Sequence, residues 1–484
     1  MAGRSYLWER RLWGLLAALA LVAVSLAGCG QPVPTPAPPP APAPAPAPPL
    51  APAPAPPPTG EAAPPGEGVA VTPAADTTPP PAVTGLIAVD AYDGQVNLRW
   101  DNVGAADLDH YNIYAAASVM TDVTGMTPGQ QAGASATACQ VMGLVAGTEY
   151  RFAVTAVDES GNENRLVTGA RATPTPMPAG TADPDITVAV YKADKAWPGT
   201  TLLADNHNPE QPRIIEVNMR GEIVWEYPVP PDLKRYTNPG FDVALLPNKD
   251  ILFVLPGKGV YEIERGGRVV WSYLTEKISH DADRLPNGNT IFAFGGFDQK
   301  GDAQVREVNP QGEVVWSWYA RDYFDKPPYQ DINLEGWTHT NAVSRLAGGN
   351  TLISLRNFHF VVEVDPQGAV VRTIGEGILH NQHDPEILPD GRMLVADHSE
   401  PQRAVEIDLK TGQVVWQFVL PRQLVRDANR LPSGNTLITG GTAIVEVTAD
   451  REVVWQLRLG TVIERDQAPG LGFYKAERVS AGDR

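Results

Sequence analysis

Apolar residues in this chain come in short alternating bursts of four to six positions, the strand period, with no sustained helical period after the N-terminal segment. From about Ile186 onward one pattern recurs: a turn of the type "LPNGNT", an apolar strand, a strand ending in "EV" or a relative, then a "GEVVW" close. The closes fall at Trp225, Trp271, Trp316, Arg372, Trp416 and Trp455. Leu246, Leu285, Leu346, Leu388 and Leu431 each precede a turn and are spaced 39, 61, 42 and 43 residues apart. A repeat of about 40 residues made of four short strands is the signature of a β-propeller blade, so 186–484 is expected to form six blades. The Val-Val-Trp pieces should pack between blades, and the Pro-Asn-Gly-Asn pieces are turns whose glycine supplies the required dihedral angles. The first repeat, around Trp197-Pro198-Gly199, is degenerate, as terminal repeats often are.

Residues 82–175 carry separate alternating runs at Gly94–Trp100, Tyr111–Tyr114 and Tyr150–Val157, the pattern of a small β-sandwich. Trp100 ends "QVNLRW", and Tyr150 follows Leu144 by six residues as in a tyrosine corner; the segment resembles a fibronectin type III module. Its expected role is packing and spacing, with carbohydrate or partner binding as the alternative. The fold class is therefore all-β, a six-bladed propeller preceded by a fibronectin type III-like sandwich.

The N-terminal end is different. Arg4, Arg10 and Arg11 precede an apolar run from Leu12 to Leu26, and Leu26-Ala27-Gly28-Cys29 follows. A basic start, an apolar core and small residues before a cleavage point read as an export signal over 1–28. The tetrad resembles a bacterial lipobox, which implies lipid on Cys29 and an extracytoplasmic protein tethered to the cell envelope. Residues 29–81, mostly Pro and Ala, cannot bury a core and are expected to be an extended linker. With Cys29 lipidated, Cys139 has no disulfide partner. A net charge of −18 argues against nucleic acid and against broad adhesion to anionic lipid, leaving the N-terminal lipid as the expected membrane contact.

Equivalent positions of radial repeats converge on one axis, so polar columns there mark an active site. Five residues before each leucine the column reads Phe241, His280, Asn341, His383 and Arg426; ten after, it reads Pro256, Gly295, Arg356, His398 and Gly441. Reversal at the turn puts both columns at one mouth of the channel. His339 keeps the side of Asn341 by the two-residue period, and His207 is the equivalent in the first repeat. Alternation points Asp281 and Asp384 away from the mouth and makes them structural. His359 and His380 fall at the periphery. Tyr319, Tyr323, Phe324 and Tyr329, in the insertion before Leu346, would either stack on an aromatic ligand or form a local core.

The pieces "SHDADRLPNGN", "WTHTNAVSRLAGGN", "SLRNF" and "NQHDPEILPDG", with the six repeats and the terminal "FYKAERV", resemble the bacterial arylsulfate sulfotransferases that do not use the nucleotide sulfate donor. The resemblance implies that His383 is the nucleophile, that His280 and His339 are catalytic, and that Asn341 and Arg356 bind the transferred group. His398, His207 and Arg426 are further candidates by position. Small-molecule aryl sulfates and phenols are the expected partners, with no cofactor and no metal. Departures from the enteric members, a fibronectin-like module and no disulfide, leave a homodimer open. Two other classes compete: a non-catalytic adhesion propeller, and a quinoprotein-like oxidoreductase suggested by "DLKTGQVVW" at Trp416.

Overall fold

A computed structural model describes residues 76–89, 92–460 and 470–480. The export signal, Cys29 and the Pro/Ala linker up to residue 75 lie outside the described residues. Among the described residues, no helix is long and apolar enough to cross a membrane.

Seven strands make the N-terminal sandwich. Ile87–Val89, Val96–Arg99 and Ala138–Val141 form one sheet, and Gln130–Gly133, Leu108–Ala116, Tyr150–Asp158 and Ala170–Ala172 form the other. Leu98, Trp100, Tyr111 and Phe152 fill the space between them, with Trp100 edge-on to Tyr111 at 5.3 Å. The Val145 N–H donates to the Tyr150 hydroxyl at 3.2 Å, the contact that a tyrosine corner requires. Tyr92 and Met177 pack into a cluster with Trp197 and Trp455, and Arg220 pairs with Asp93 at 3.1 Å, so the sandwich rests on the propeller's first and last blades.

Six antiparallel sheets follow, one per repeat. Blade 3 is representative: Ala282–Arg284 innermost, then Thr290–Ala293, Val305–Val308 and Val314–Trp318. Blade 1 differs, because the degenerate first repeat supplies only three strands, Thr200–Asp205, Arg213–Val217 and Ile223–Pro228. Its innermost strand is the C-terminal Phe473–Val479, paired antiparallel with Thr200–Asp205. On the other side of this seam, Ile186–Tyr191 adds a fifth strand outside Val453–Leu459 of blade 6. Both ends of the propeller are thereby stitched to its opposite end.

Four of the six seams between blades share one device. The Glu of the "EV" strand pairs with an Arg on the next blade's inner strand: Glu262 with Arg284 at 2.6 Å, Glu307 with Arg345 at 2.9 Å, Glu406 with Arg430, and Glu446 with Arg478 at 3.2 Å. The closing Trp covers that Arg, with Trp271 over Arg284 at 4.5 Å and Trp455 over Arg478 at 4.7 Å. An ion pair this dehydrated is stable because the guanidinium is also shielded by a π face. The tryptophans therefore serve the seams, as the repeat pattern suggested.

Candidate active site

Six inner strands present six residues in register: Phe241, His280, Asn341, His383, Arg426 and, from the C-terminal strand, Tyr474. His280, Asn341, His383, Arg426 and Tyr474 line one small cavity together with Asp281, Asp384 and Lys475. The rings interlock. His280 lies 5.0 Å from His339, 6.4 Å from His383 and 5.8 Å from Tyr474, and His383 stacks on His398 at 4.8 Å with planes 19° apart. The two columns and His339 thus come together as their spacing requires. His207 does not join them. Its Nδ1 bonds Asp205 at 2.6 Å, and it lines a separate cleft of about 440 Å³ with Asp183, Asp185 and Arg213. That cleft is the larger, but its charges pair with one another, Arg213 with Asp183, Asp205 and Glu226.

Hydrogen bonds set the imidazole tautomers. His383 Nδ1 faces the Asn381 carbonyl at 2.9 Å, and His339 Nδ1 faces the Glu335 carbonyl at 2.9 Å. A carbonyl only accepts, so both Nδ1 atoms carry hydrogen and both Nε2 atoms keep a lone pair. His339 Nε2 is 3.4 Å from His280 Nε2, which makes the latter the donor. His280 Nδ1 then accepts from Ser279 Oγ at 2.5 Å, and Ser279 Oγ accepts the Gly296 N–H at 2.8 Å. Every proton in this chain has one consistent place.

Burial pushes the His383 and His280 pKa values well below the ordinary histidine range, with neighbouring imidazoles and Arg356 adding to the effect. Burial, then Arg356, brings His339 down to about 4. All three are neutral at pH 7. Arg426, donating to the Phe473 carbonyl at 2.8 Å, is lowered by burial to about 10 and stays cationic. Two buried polar atoms, Asn341 Oδ1 and Tyr474 Oη, have no hydrogen-bond partner among the described residues. Both residues line the cavity, so both atoms are open to a polar guest there.

Asp281 and Asp384 depart from the alternation expected of them. His280 and Asp384 have φ of 74° and 48°, and the Thr340–Arg345 and His383–Ile387 strands carry bulges, so side chains on consecutive residues reach the axis. There they meet Lys475. Its Nζ lies 2.9 Å from Asp281, 3.2 Å from Asp384 and 3.3 Å from Asp242. Burial alone would lower Lys475, but Asp242, Asp281, Asp384 and Asp427 outweigh it and hold it well above its usual value. One ammonium cannot neutralise three buried carboxylates and the half-buried Asp384, and burial with mutual repulsion drives Asp242, Asp281 and Asp427 upward. The same carboxylates link neighbouring blades: Asp242 accepts the Ala282 N–H, Asp281 the Val343 N–H and Asp427 the Ala476 N–H.

The loops that carry His339 and Arg356 are fixed by Asp298 and Asn357. Asp298 accepts the backbone N–H groups of Thr338 and His339 at 3.0–3.2 Å, and the turn before them needs Gly336, whose φ is 114° and whose Cβ would sit 2.6 Å from Asp298 Oδ1. Asn357 accepts from Arg356 Nη1 at 3.1 Å and donates to the Leu334 and Gly336 carbonyls. The insertion aromatics do not line the cavity. Phe324 is buried, Tyr323 stacks on Trp318 at 6.1 Å, and Tyr329 packs on Phe358 at 4.8 Å. His359 and His380 pair at 5.5 Å behind Asn381, whose N–H donates to His359 Nδ1.

The arylsulfotransferase (ASST) family profile matches residues 185–378, and the fibronectin type III profile matches 80–167. The chain therefore carries an arylsulfotransferase-family region behind a fibronectin type III domain. That match contains His280, His339, Asn341 and Arg356 and ends before His383. Chitinase A1 of Niallia circulans is 31% identical over 109 residues, which is 22% of this chain and 14% of that enzyme's length. A protein of unknown function from Bacteroides caccae is 21% identical, with a TM-score of 0.43 over 58% of this chain and 98% of that one. Virginiamycin B lyase from Staphylococcus aureus is 12% identical, with a TM-score of 0.37 over 56% of this chain and 87% of the lyase.

Proposed function

We propose that the propeller moves a sulfuryl group from an aryl sulfate to a phenol through a sulfohistidine on His383, with no nucleotide sulfate donor. The observation that carries this reading is the tautomer of His383: its Nδ1–H is held by the Asn381 carbonyl, and its Nε2 lone pair is free of a proton at pH 7. Attack of Nε2 on sulfur forms an N–S bond and breaks the S–O bond to the aryl oxygen, whose electron pair leaves as phenolate. The phenolate takes a proton. In the second half an acceptor phenol loses a proton, attacks the same sulfur and releases Nε2. Splitting the transfer in this way replaces one difficult step by two easier ones.

The His280–His339 pair is suited to the proton. An arriving sulfate ester is an anion and favours the protonated form of imidazoles that are neutral without it. Arg356 has a planar fork of donors matched to sulfuryl oxygens, and Arg426, one N–H of Asn341 and the Tyr474 hydroxyl can add to it. Charge on the equatorial oxygens in the transition state is what these donors would stabilise, as in phosphoryl transfer.

Nitrophenolate release from 4-nitrophenyl sulfate, with and without phenol, tests the reading. Phenol is expected to raise the rate severalfold and to give parallel lines in double-reciprocal plots, the mark of two half-reactions. Absence of release across several aryl sulfates would leave a binding propeller instead.

A further inference from the structure

We infer that Ser279 is a positioning residue: it makes His280, unlike His339 and His383, a hydrogen-bond donor whose Nε2–H is offered to the oxygens of the transferred group. The consequence for transfer rests on the sulfotransferase reading; the geometry does not. His339 and His383 each set an Nδ1–H against a backbone carbonyl, which can only accept. His280 is held differently. Its Nδ1 meets the Ser279 hydroxyl at 2.5 Å, and a hydroxyl can serve as donor or acceptor.

Two neighbours decide which. The Gly296 N–H already donates to Ser279 Oγ at 2.8 Å, and among the described residues the only acceptor that bonds this hydroxyl is His280 Nδ1. On the other side of the ring, His280 Nε2 lies 3.4 Å from the lone pair of His339 Nε2. Were Ser279 to accept from an Nδ1–H, two lone pairs would face each other in a buried site and the hydroxyl hydrogen would go unused. Both are costly for buried polar groups. Ser279 therefore donates, and Nε2 carries the hydrogen. At 3.4 Å the contact with His339 is long, so that hydrogen is open to a better acceptor. His280 lines the axial cavity with His383 and Arg426, where such an acceptor would be a sulfuryl or aryl oxygen.

The surrounding chain is shaped to this contact. Ser279 is buried, and His280 has φ of 74°, a backbone conformation that persists only where its surroundings enforce it. Residue 295 lies against both strands of the pair: a Cβ there would sit 2.8 Å from Ser279 Oγ and 1.9 Å from the Thr340 carbonyl. Only glycine at 295 keeps Ser279 and Thr340, and with them His280 and His339, at their observed separation. That explains why the column that carries Arg356 and His398 reads Gly295 beside His280.

The test reads the tautomer itself. In the full chain labelled with 15N-histidine at neutral pH, long-range 1H–15N correlation spectra separate protonated from unprotonated ring nitrogens, and His280→Gln assigns the His280 signals. The parent should carry hydrogen on His280 Nε2. Ser279→Ala should shift it toward Nδ1, and so should Ser279→Cys, which fills the same space with a weak donor. With 4-nitrophenyl sulfate both variants should lose on the order of a hundredfold in kcat, with KM within about threefold. Hydrogen on Nδ1 in the parent, or the parental tautomer in Ser279→Ala, would overturn the proposal. A Ser279→Cys chain with parental kcat would also overturn it, since the serine would then act by filling space. A parent with hydrogen on Nε2 that transfers no sulfuryl group would keep the positioning role of Ser279 and remove the transferase reading.

Discussion

Two consecutive rings of the channel, one residue apart in sequence, have opposite characters. The upper ring is Phe241, His280, Asn341, His383, Arg426 and Tyr474; the lower is Asp242, Asp281, Ala342, Asp384, Asp427 and Lys475. In the lower ring the charges find partners within the chain: Lys475 meets three carboxylates at 2.9–3.3 Å, and Asp242, Asp281 and Asp427 each accept an N–H from the next blade. In the upper ring the imidazoles are held neutral, a guanidinium is buried, and Asn341 Oδ1 and Tyr474 Oη lack partners among the described residues. A polar group satisfied by its own chain holds the fold together; one left unsatisfied in a cavity waits for something else. The same six strands build both layers, and Asp281, Asp384 and Lys475 also border the cavity, so the layers differ in how their polar groups are paired rather than in place.

Removing the lower ring's cation should produce the largest stability effect. Lys475→Met leaves Asp242, Asp281, Asp384 and Asp427 facing one another without their cation, and loss of one partner from a buried pair costs about 3–5 kcal/mol. The pH dependence has a definite sign. Asp242 and Asp281 have folded-state pKa values raised to about 6 and 7, so the native state binds more protons than the unfolded chain between about pH 4 and 7. Stability from these groups therefore declines as pH rises through that window, and more steeply once Lys475 is gone. Denaturant unfolding of Lys475→Met should show its largest deficit at pH 8 and a much smaller one at pH 5. A deficit independent of pH would mean that the lysine acts by packing alone.

The upper ring makes a smaller and opposite prediction. His383 and His280 have lowered pKa values, and a nucleophilic imidazole works in its neutral form. As pH falls, kcat/KM for an aryl sulfate should stay level through 6.5, where an ordinary histidine would already be half protonated, and drop only further into acid. A break near 6.5 would show that the nucleophile is a solvated histidine elsewhere.

Much of this was legible in the chain itself. Repeat spacing located five of the six inner strands, and the columns around Leu285, Leu346 and Leu388 brought His280, Asn341, His383, Arg356 and His398 to one place. What escaped had physical reasons. Tyr474 and Lys475 stand in the same register as Arg426 and Asp427, "YKAERV" against "RDANRL", but Val479 replaces the marker leucine and the strand completes a blade begun some 270 residues earlier. Asp281 and Asp384 were misdirected because alternation assumes an unbroken strand, and positive φ with a bulge breaks it here. His207 shares the column's position, but Asp205 captures its ring within two residues. The fate of the insertion aromatics depended on Phe358 and Phe360, a packing partnership that composition does not announce.

The central claim is that sulfur becomes bonded to His383. Rapid quenching of the chain with excess 4-nitrophenyl sulfate in the absence of phenol, followed by intact mass and peptide mapping under alkaline conditions, tests it directly. The account predicts a gain of one sulfuryl group on the peptide containing His383, discharged by phenol and absent from His383→Ala. Nitrophenolate release with no adduct, or an adduct that persists in His383→Ala, would contradict it.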